Sequence, residues 1–185
     1  ILEGGLAPNA TVMSWRGVDG AIEAARLGHD AVMTPGPVLY FDYRQSPHDG
    51  APGRGIVSSL EDVYRFDPTP EELTPEQAKR VIGVQANLFT EHMRTEDRVE
   101  YQAFPRVSAL AEVAWTAHDR MDWADFQTRL QPQLARYRTL GIDYATSGLE
   151  PASPIPADGE RRYDHQMKMC SEGLVLSLID GAPIG

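Results

Sequence analysis

Short apolar runs, broken by Gly, Pro and acidic residues, alternate along this chain with segments whose apolar residues recur at helical spacing. ATVMSWRG (10–17) is apolar and partly β-branched, then turns polar, which predicts a strand. AIEAARLG follows, with Ala21, Ile22 and Ala25 on one face, Glu23 and Arg26 on the other, Asp19 as candidate cap and Gly28 as stop. DAVMTP (30–35) predicts a second strand ending at Pro35. The next stretch, VLYFDYRQS (38–46), starts like a strand, and an extended backbone would put Val38, Tyr40 and Asp42 on one face. HDGAPGRG then reads as a loop. Ser59 with Asp62 and Thr74 with Pro75 and Gln77 are start signals for two further helices.

VIGVQANLFTE (81–91) is apolar and mostly unalternating, as strands covered on both faces tend to be. Beyond it, Tyr101, Phe104, Val107, Leu110, Ala111 and Ala114 fall at helical spacing, with a bend or restart expected at Pro105. A last helix has Asp122 as cap, a stripe of Phe126, Leu130, Leu134 and Tyr137, and Gly141 as stop, with Pro132 weakening its middle. Strands alternating with helices predict a parallel sheet of the α/β class. Three such units are too few to close a barrel of eight, which takes about 250 residues. Residues 147–169 turn to Pro, Ser, Gly and Ala and read as a linker. Residues 170–185 contain the alternating run LVLSLI, the expected start of a further β-rich segment.

In parallel β/α architectures, chemistry gathers beyond the C-terminal ends of the strands. Trp15 closes the first predicted strand, Tyr40 and Asp42 follow the second, and Glu91 closes the third. Carboxylates beside aromatic rings suit a sugar, because the acids accept from hydroxyls while the rings cover the apolar C–H face. The same residues also fit a core tryptophan and an edge strand, and the pattern alone leaves both readings open.

Charge narrows the field. With 17 basic and 27 acidic side chains among 185 residues, net −10, the chain lacks the basic footprint of a nucleic-acid surface. No apolar run approaches the roughly 18 residues a membrane span requires. A single cysteine, Cys170, allows no internal disulfide, and five scattered histidines give no metal-ligand grouping. His29, ahead of the second strand, reads as structural, and His92 reads as a supporting neighbour of Glu91. Asn9-Ala10-Thr11 fits a glycosylation sequon, a common chance pattern. The opening ILEGGLAPNA has neither the basic start nor the apolar core of a signal peptide, and both ends read as cut.

SWRG (14–17), GHDAVMTP with LYFDYRQ (28–45), VIGVQANLFTEH (81–92) and AFPRVSALAEVAW (103–115), in this order and spacing, resemble the family 20 glycoside hydrolases, the β-N-acetylhexosaminidases. The resemblance covers residues 1 to about 146 and implies the last three β/α units of a (β/α)8 barrel. It implies no cofactor, and an exo-acting enzyme that releases terminal N-acetylglucosamine or N-acetylgalactosamine. In that family the substrate's acetamido oxygen is the nucleophile, an exception to the scheme of two protein carboxylates. Tyr40 then matches the tyrosine that donates to the acetamido oxygen. Asp42 and Glu91 match acids that bind sugar hydroxyls, and Trp15 matches a wall of the acetamido pocket.

Two features depart from the family pattern. Phe89 stands where a tryptophan is usual, which shrinks the platform under the sugar ring. The Asp-Glu dipeptide that supplies the family's catalytic acid occurs nowhere in the chain, so its place is expected upstream of Ile1. The implied partners are an amino-sugar glycan and the remaining N-terminal half of the barrel, in the same or a separate chain. A non-catalytic sugar-binding or scaffold protein on the same barrel is the alternative. The compartment is unknown, with the periplasm or the extracellular space favoured by the resemblance.

Overall fold

A computed structural model describes residues 4–49, 54–147 and 149, together with the backbone of 174–179. Three strands, β1 (Val12–Ser14), β2 (Ala31–Met33) and β5 (Val81–Leu88), lie side by side and parallel in that order. Helix α1 (Asp19–Arg26) connects the first two, and α2 (Gly36–Leu39), α3 (Leu60–Tyr64) and α4 (Pro75–Ala78) lie between the second and third. After β5 come α5 (Glu96–Ala103), α6 (Arg106–Trp115) and α7 (Trp123–Leu140). Strands β3 (Tyr43–Arg44) and β4 (Arg54–Val57) form a separate parallel pair. Strand β6 (Leu174–Ile179) pairs antiparallel with β5, taking the outer edge of the main sheet. The rest of the expected linker and the segment around β6 lie outside the described residues.

The two faces of the sheet differ. Val12, Ala31, Met33, Val84, Ala86 and Leu88 belong to one buried cluster with Ala21 and Ala24 of α1, Leu60 and Val63 of α3, Leu110 and Val113 of α6, and the α7 stripe Phe126, Leu130, Leu134 and Tyr137. That stripe is the one its spacing predicts. The alternate residues Met13 and Trp15 are each 47% exposed.

Local signals place most helix ends. Ser59 accepts from the Asp62 N–H while the Asp62 carboxylate accepts from the Ser59 N–H, and Thr74 and Gln77 form the same reciprocal pair. Asp122 caps α7, and Gly141 ends it with φ of +72°. A left-handed residue is easiest for glycine. Helix α5 ends at Ala103 and α6 begins at Arg106, so the restart at Pro105 is real.

Four expectations need correction. Asp19 is not the cap of α1. It lies in the first turn, and Ser14 of β1 takes over by accepting from the Ala21 N–H at 3.1 Å while donating to the Gly17 carbonyl at 2.6 Å. Pro132 does not interrupt α7. It sits on the exposed side, where water can serve the carbonyl one turn back. Arg54 and Gly55, read as loop, begin β4.

VLYFDYRQS is not one continuous strand: only Tyr43–Arg44 forms a strand, as β3, and the stretch opens as the end of a short helix. Pro35 is extended, Pro37 suits a first helical turn, and Val38 and Leu39 both donate to the Pro35 carbonyl, at 3.1 and 2.8 Å. A turn follows, closed by the Tyr43 N–H on the Tyr40 carbonyl at 3.2 Å. The period-2 reason for putting Tyr40 and Asp42 on one face therefore fails.

Candidate active site

The short α2 lifts the chain off the sheet and returns it beyond the strand ends. Tyr40 meets β5 in an isolated parallel bridge to Asn87, and the Phe41 N–H donates to the Asn87 carbonyl at 2.7 Å. The Trp15 carbonyl accepts from the Gly36 N–H at 2.8 Å, tying the end of β1 to the start of α2. A Cβ on Gly36 would lie 3.4 Å from that carbonyl oxygen, 3.7 Å from the Tyr43 hydroxyl and 3.8 Å from the Tyr40 ring. These are ordinary van der Waals distances, so the three groups surround Gly36 closely without excluding a methyl group there. The Tyr40 ring stands 5.4 Å from Phe89 and 5.9 Å from Tyr43, tilted to both, at distances typical of favourable aromatic pairs.

Trp15, Tyr40 and Phe89 therefore gather at the C-terminal ends of β1, β2 and β5. An arginine accompanies them, as Arg16 lies over the Trp15 ring at 4.9 Å. Glu91 is exposed in a single 3-10 turn, Thr90–His92, that continues from Phe89. Asp42 differs from Glu91 in being 1% exposed. Its charge sits in the field of the buried Arg106 guanidinium.

Sequence reading missed the support beneath these residues. On β5, the Gln85 amide donates to Asn87 Oδ1 at 2.9 Å and Asn87 donates to Thr34 Oγ1 at 3.0 Å, joining β5 to the end of β2. Gln85 and Asn87, two residues apart on the strand, were a legible sign of a polar face. Behind the Tyr40–Tyr43 turn lies a cluster of buried charge: Asp42, Asp49, Arg98 and Arg106. Asp49 accepts from the Tyr101 hydroxyl at 3.3 Å and lies 3.9 Å from Arg98 Nη1, and Arg98 stacks over the Tyr101 ring at 4.6 Å. Burial pushes the Tyr101 phenol up from its ordinary value. Burial also lowers Arg106 to about 9, against the pull of Asp49 and Asp42. Gln45 donates to the carbonyls of Tyr101, at 2.5 Å, and Phe104, at 3.2 Å, fixing the turn to the end of α5.

Two surface hollows lie elsewhere. One, about 310 Å³, is lined by Asp67, Val81, Gly83, Trp115 and His118 among others, and the second, about 330 Å³, by Arg138 and residues 141–144 and 146. None of the five candidate residues lines either one. Among the described residues no group of three His, Cys, Asp or Glu could hold a metal ion, and no helix is long and apolar enough to cross a membrane.

Parallel strands with aromatic and acidic groups gathered beyond their C-terminal ends are the layout of β/α-barrel enzymes. The chain belongs to glycosyl hydrolase family 20, matching the model of that family's catalytic domain over residues 1–118. It is 48% identical over 146 residues to a β-hexosaminidase of Porphyromonas gingivalis, covering 78% of this chain and 19% of that one. It is 32% identical over 149 residues to a β-N-acetylhexosaminidase of Cellulomonas fimi, covering 77% of this chain and 29% of that protein. The chain thus spans between about a fifth and three tenths of the length of these relatives. Among solved structures it resembles a family 20 exo-β-N-acetylglucosaminidase of Vibrio harveyi in complex with N-acetylglucosamine, with a TM-score of 0.69 at 30% identity over 77% of this chain and 23% of that one. A family 20 β-N-acetylhexosaminidase of Streptomyces coelicolor gives 0.69 at 29% identity, covering 80% and 31%.

Proposed function

We propose that this chain forms one side of the sugar site of an exo-β-N-acetylhexosaminidase. In this reading β1, β2 and β5 are the last three strands of a (β/α)8 barrel, and the Asp-Glu pair, of which one acid protonates the leaving oxygen and the aspartate orients the acetamido nitrogen, lies on sequence outside the chain. The observation that carries the reading is the Tyr40–Phe89 pair, with ring centroids 5.4 Å apart, beyond the C-terminal ends of neighbouring parallel strands, with Trp15 following the end of β1 and tied by its carbonyl to Gly36 of α2.

The roles follow from chemistry. The Tyr40 hydroxyl donates to the substrate's acetamido oxygen and holds it behind the anomeric carbon, where it attacks to give an oxazolinium intermediate. Trp15 packs against the acetamido methyl. Phe89 supplies an apolar platform under the ring, and the Asp42 and Glu91 carboxylates accept from ring hydroxyls. Water then opens the oxazolinium, so the anomeric configuration is retained. Because the nucleophile belongs to the substrate, the full-length protein should hydrolyse a chromogenic β-N-acetylglucosaminide and fail on the matching β-glucoside, which lacks the acetamido group. Equal rates on the two would exclude acetamido participation. The described chain without its acid pair should turn over neither.

A further inference from the structure

We propose that Arg106 is a positioning residue for this reaction, holding Phe41 so that Tyr40 and Asp42, on either side of it, leave the turn in their working directions. The inference rests on the reading given under Proposed function. Arg106 opens α6 yet lies in its apolar stripe, one and two helical turns before Leu110 and Val113, and it is fully buried. Its guanidinium reaches three separate segments. Nη2 donates to the Phe41 carbonyl at 2.6 Å and to the Gln102 carbonyl at 2.6 Å, Nη1 donates to the Ser58 carbonyl at 2.9 Å, and Nε donates to Gln102 at 3.3 Å. The guanidinium plane also covers the Phe41 ring, 4.4 Å from its centroid.

Phe41 is therefore gripped from both sides. Its N–H is held by the Asn87 carbonyl of β5 at 2.7 Å, and its C=O and ring are held by Arg106. With both peptide groups of Phe41 fixed, the backbone on each side is fixed with them, and those neighbours are the two residues assigned to substrate. The charge is balanced locally, as Asp42 and Asp49 both act on Arg106 and Arg98 opposes them. A planar fork is required here. Lysine keeps the charge but, as a point donor on a flexible stem, cannot hold three carbonyls and cover a ring at once.

The test is a double-mutant cycle in the full-length enzyme. Wild-type turnover of the N-acetylglucosaminide is measured first, and an inactive wild type overturns the functional reading together with this one. In an active enzyme, Arg106→Lys should lower kcat about a hundredfold with an unchanged circular dichroism spectrum, the order of loss that misplacing a group by about 1 Å produces. In a Tyr40→Phe background the same change should lower kcat only about threefold, because the hydroxyl to be placed is gone. Equal losses in both backgrounds mean a purely structural arginine and overturn the proposal, as does a folded Arg106→Lys enzyme with wild-type kcat. Should Arg106→Lys not fold, Phe41→Leu removes the ring under the guanidinium and keeps the carbonyl. A roughly tenfold loss that vanishes in the Tyr40→Phe background supports the proposal. An additive loss, or none, overturns it.

Discussion

The helix-covered face of the main sheet and its opposite face share a backbone and almost nothing else. On the covered side Val12, Ala31, Met33, Val84, Ala86 and Leu88 are all buried against α1, α3, α6 and α7. On the other side Met13 and Trp15 are each 47% exposed, and an amide chain from Gln85 through Asn87 to Thr34 crosses between strands. The first face holds the fold together through burial of apolar area. The second buries hydrogen-bonded amides, Gln85 and Asn87, with Thr34, and leaves Met13 and Trp15 exposed beside them. The two candidate acids differ likewise, since Glu91 is exposed while Asp42 is buried within the field of Arg106.

Substitutions on the two faces should separate stability from activity in the full-length protein. The largest effect is expected behind the sheet. Leu110, 1% exposed, replaced by Ala should cost about 2–5 kcal/mol in denaturant unfolding while leaving activity per folded molecule near wild type. Trp15→Ala should do the reverse, moving stability by no more than about 0.5 kcal/mol and sharply lowering activity. If the two variants lost stability equally, the faces would not divide the work in this way.

Next in size is Glu91→Ala, which should raise KM about thirtyfold by leaving a sugar hydroxyl without its acceptor, with an unchanged unfolding midpoint. A smaller effect belongs to the covered side. Arg129, whose Nη1 and Nη2 donate to Glu112 at 2.7 and 2.6 Å, holds that carboxyl below its ordinary value, helped by the Tyr64 hydroxyl at 2.9 Å. A depressed carboxyl stabilises the fold above its unfolded pKa and stops doing so as pH falls through the folded one. Arg129 is half exposed, so Glu112→Gln should cost only about 1 kcal/mol at neutral pH, and the difference from wild type should shrink in acid below the ordinary carboxylate range. A difference that grew on acidification would reverse the assignment.

How much of this was legible depended on how local the cause was. The Ser59–Asp62 and Thr74–Gln77 pairs, and the ends of α7 at Asp122 and Gly141, were read correctly because each is decided within four residues of chain. Trp15, Tyr40, Asp42 and Glu91 were singled out because chemistry in β/α folds collects at strand ends, and Phe89 only through the family resemblance; Tyr40 reaches the strand ends through a helical turn and a bridge to Asn87. The burial of Asp42 was invisible, since the charge that accompanies it, Arg106, comes from α6, 64 residues away. The capping of α1 by Ser14 was missed for the same reason, because the donor's partner belongs to another element. Arg106 did leave one trace, a cation at a stripe position of an otherwise apolar helix face, which calls for a partner in the core.

The central claim is that the strand ends of this chain hold an N-acetylhexosamine with Tyr40 aiming its acetamido oxygen. Steady-state kinetics of Tyr40→Phe in the full-length enzyme test it most directly. The expected result is a kcat lower by roughly a hundredfold with KM within about threefold of wild type, because the lost hydrogen bond acts on the attacking geometry and on the developing charge. An unchanged kcat, or a loss confined to KM, would contradict the account.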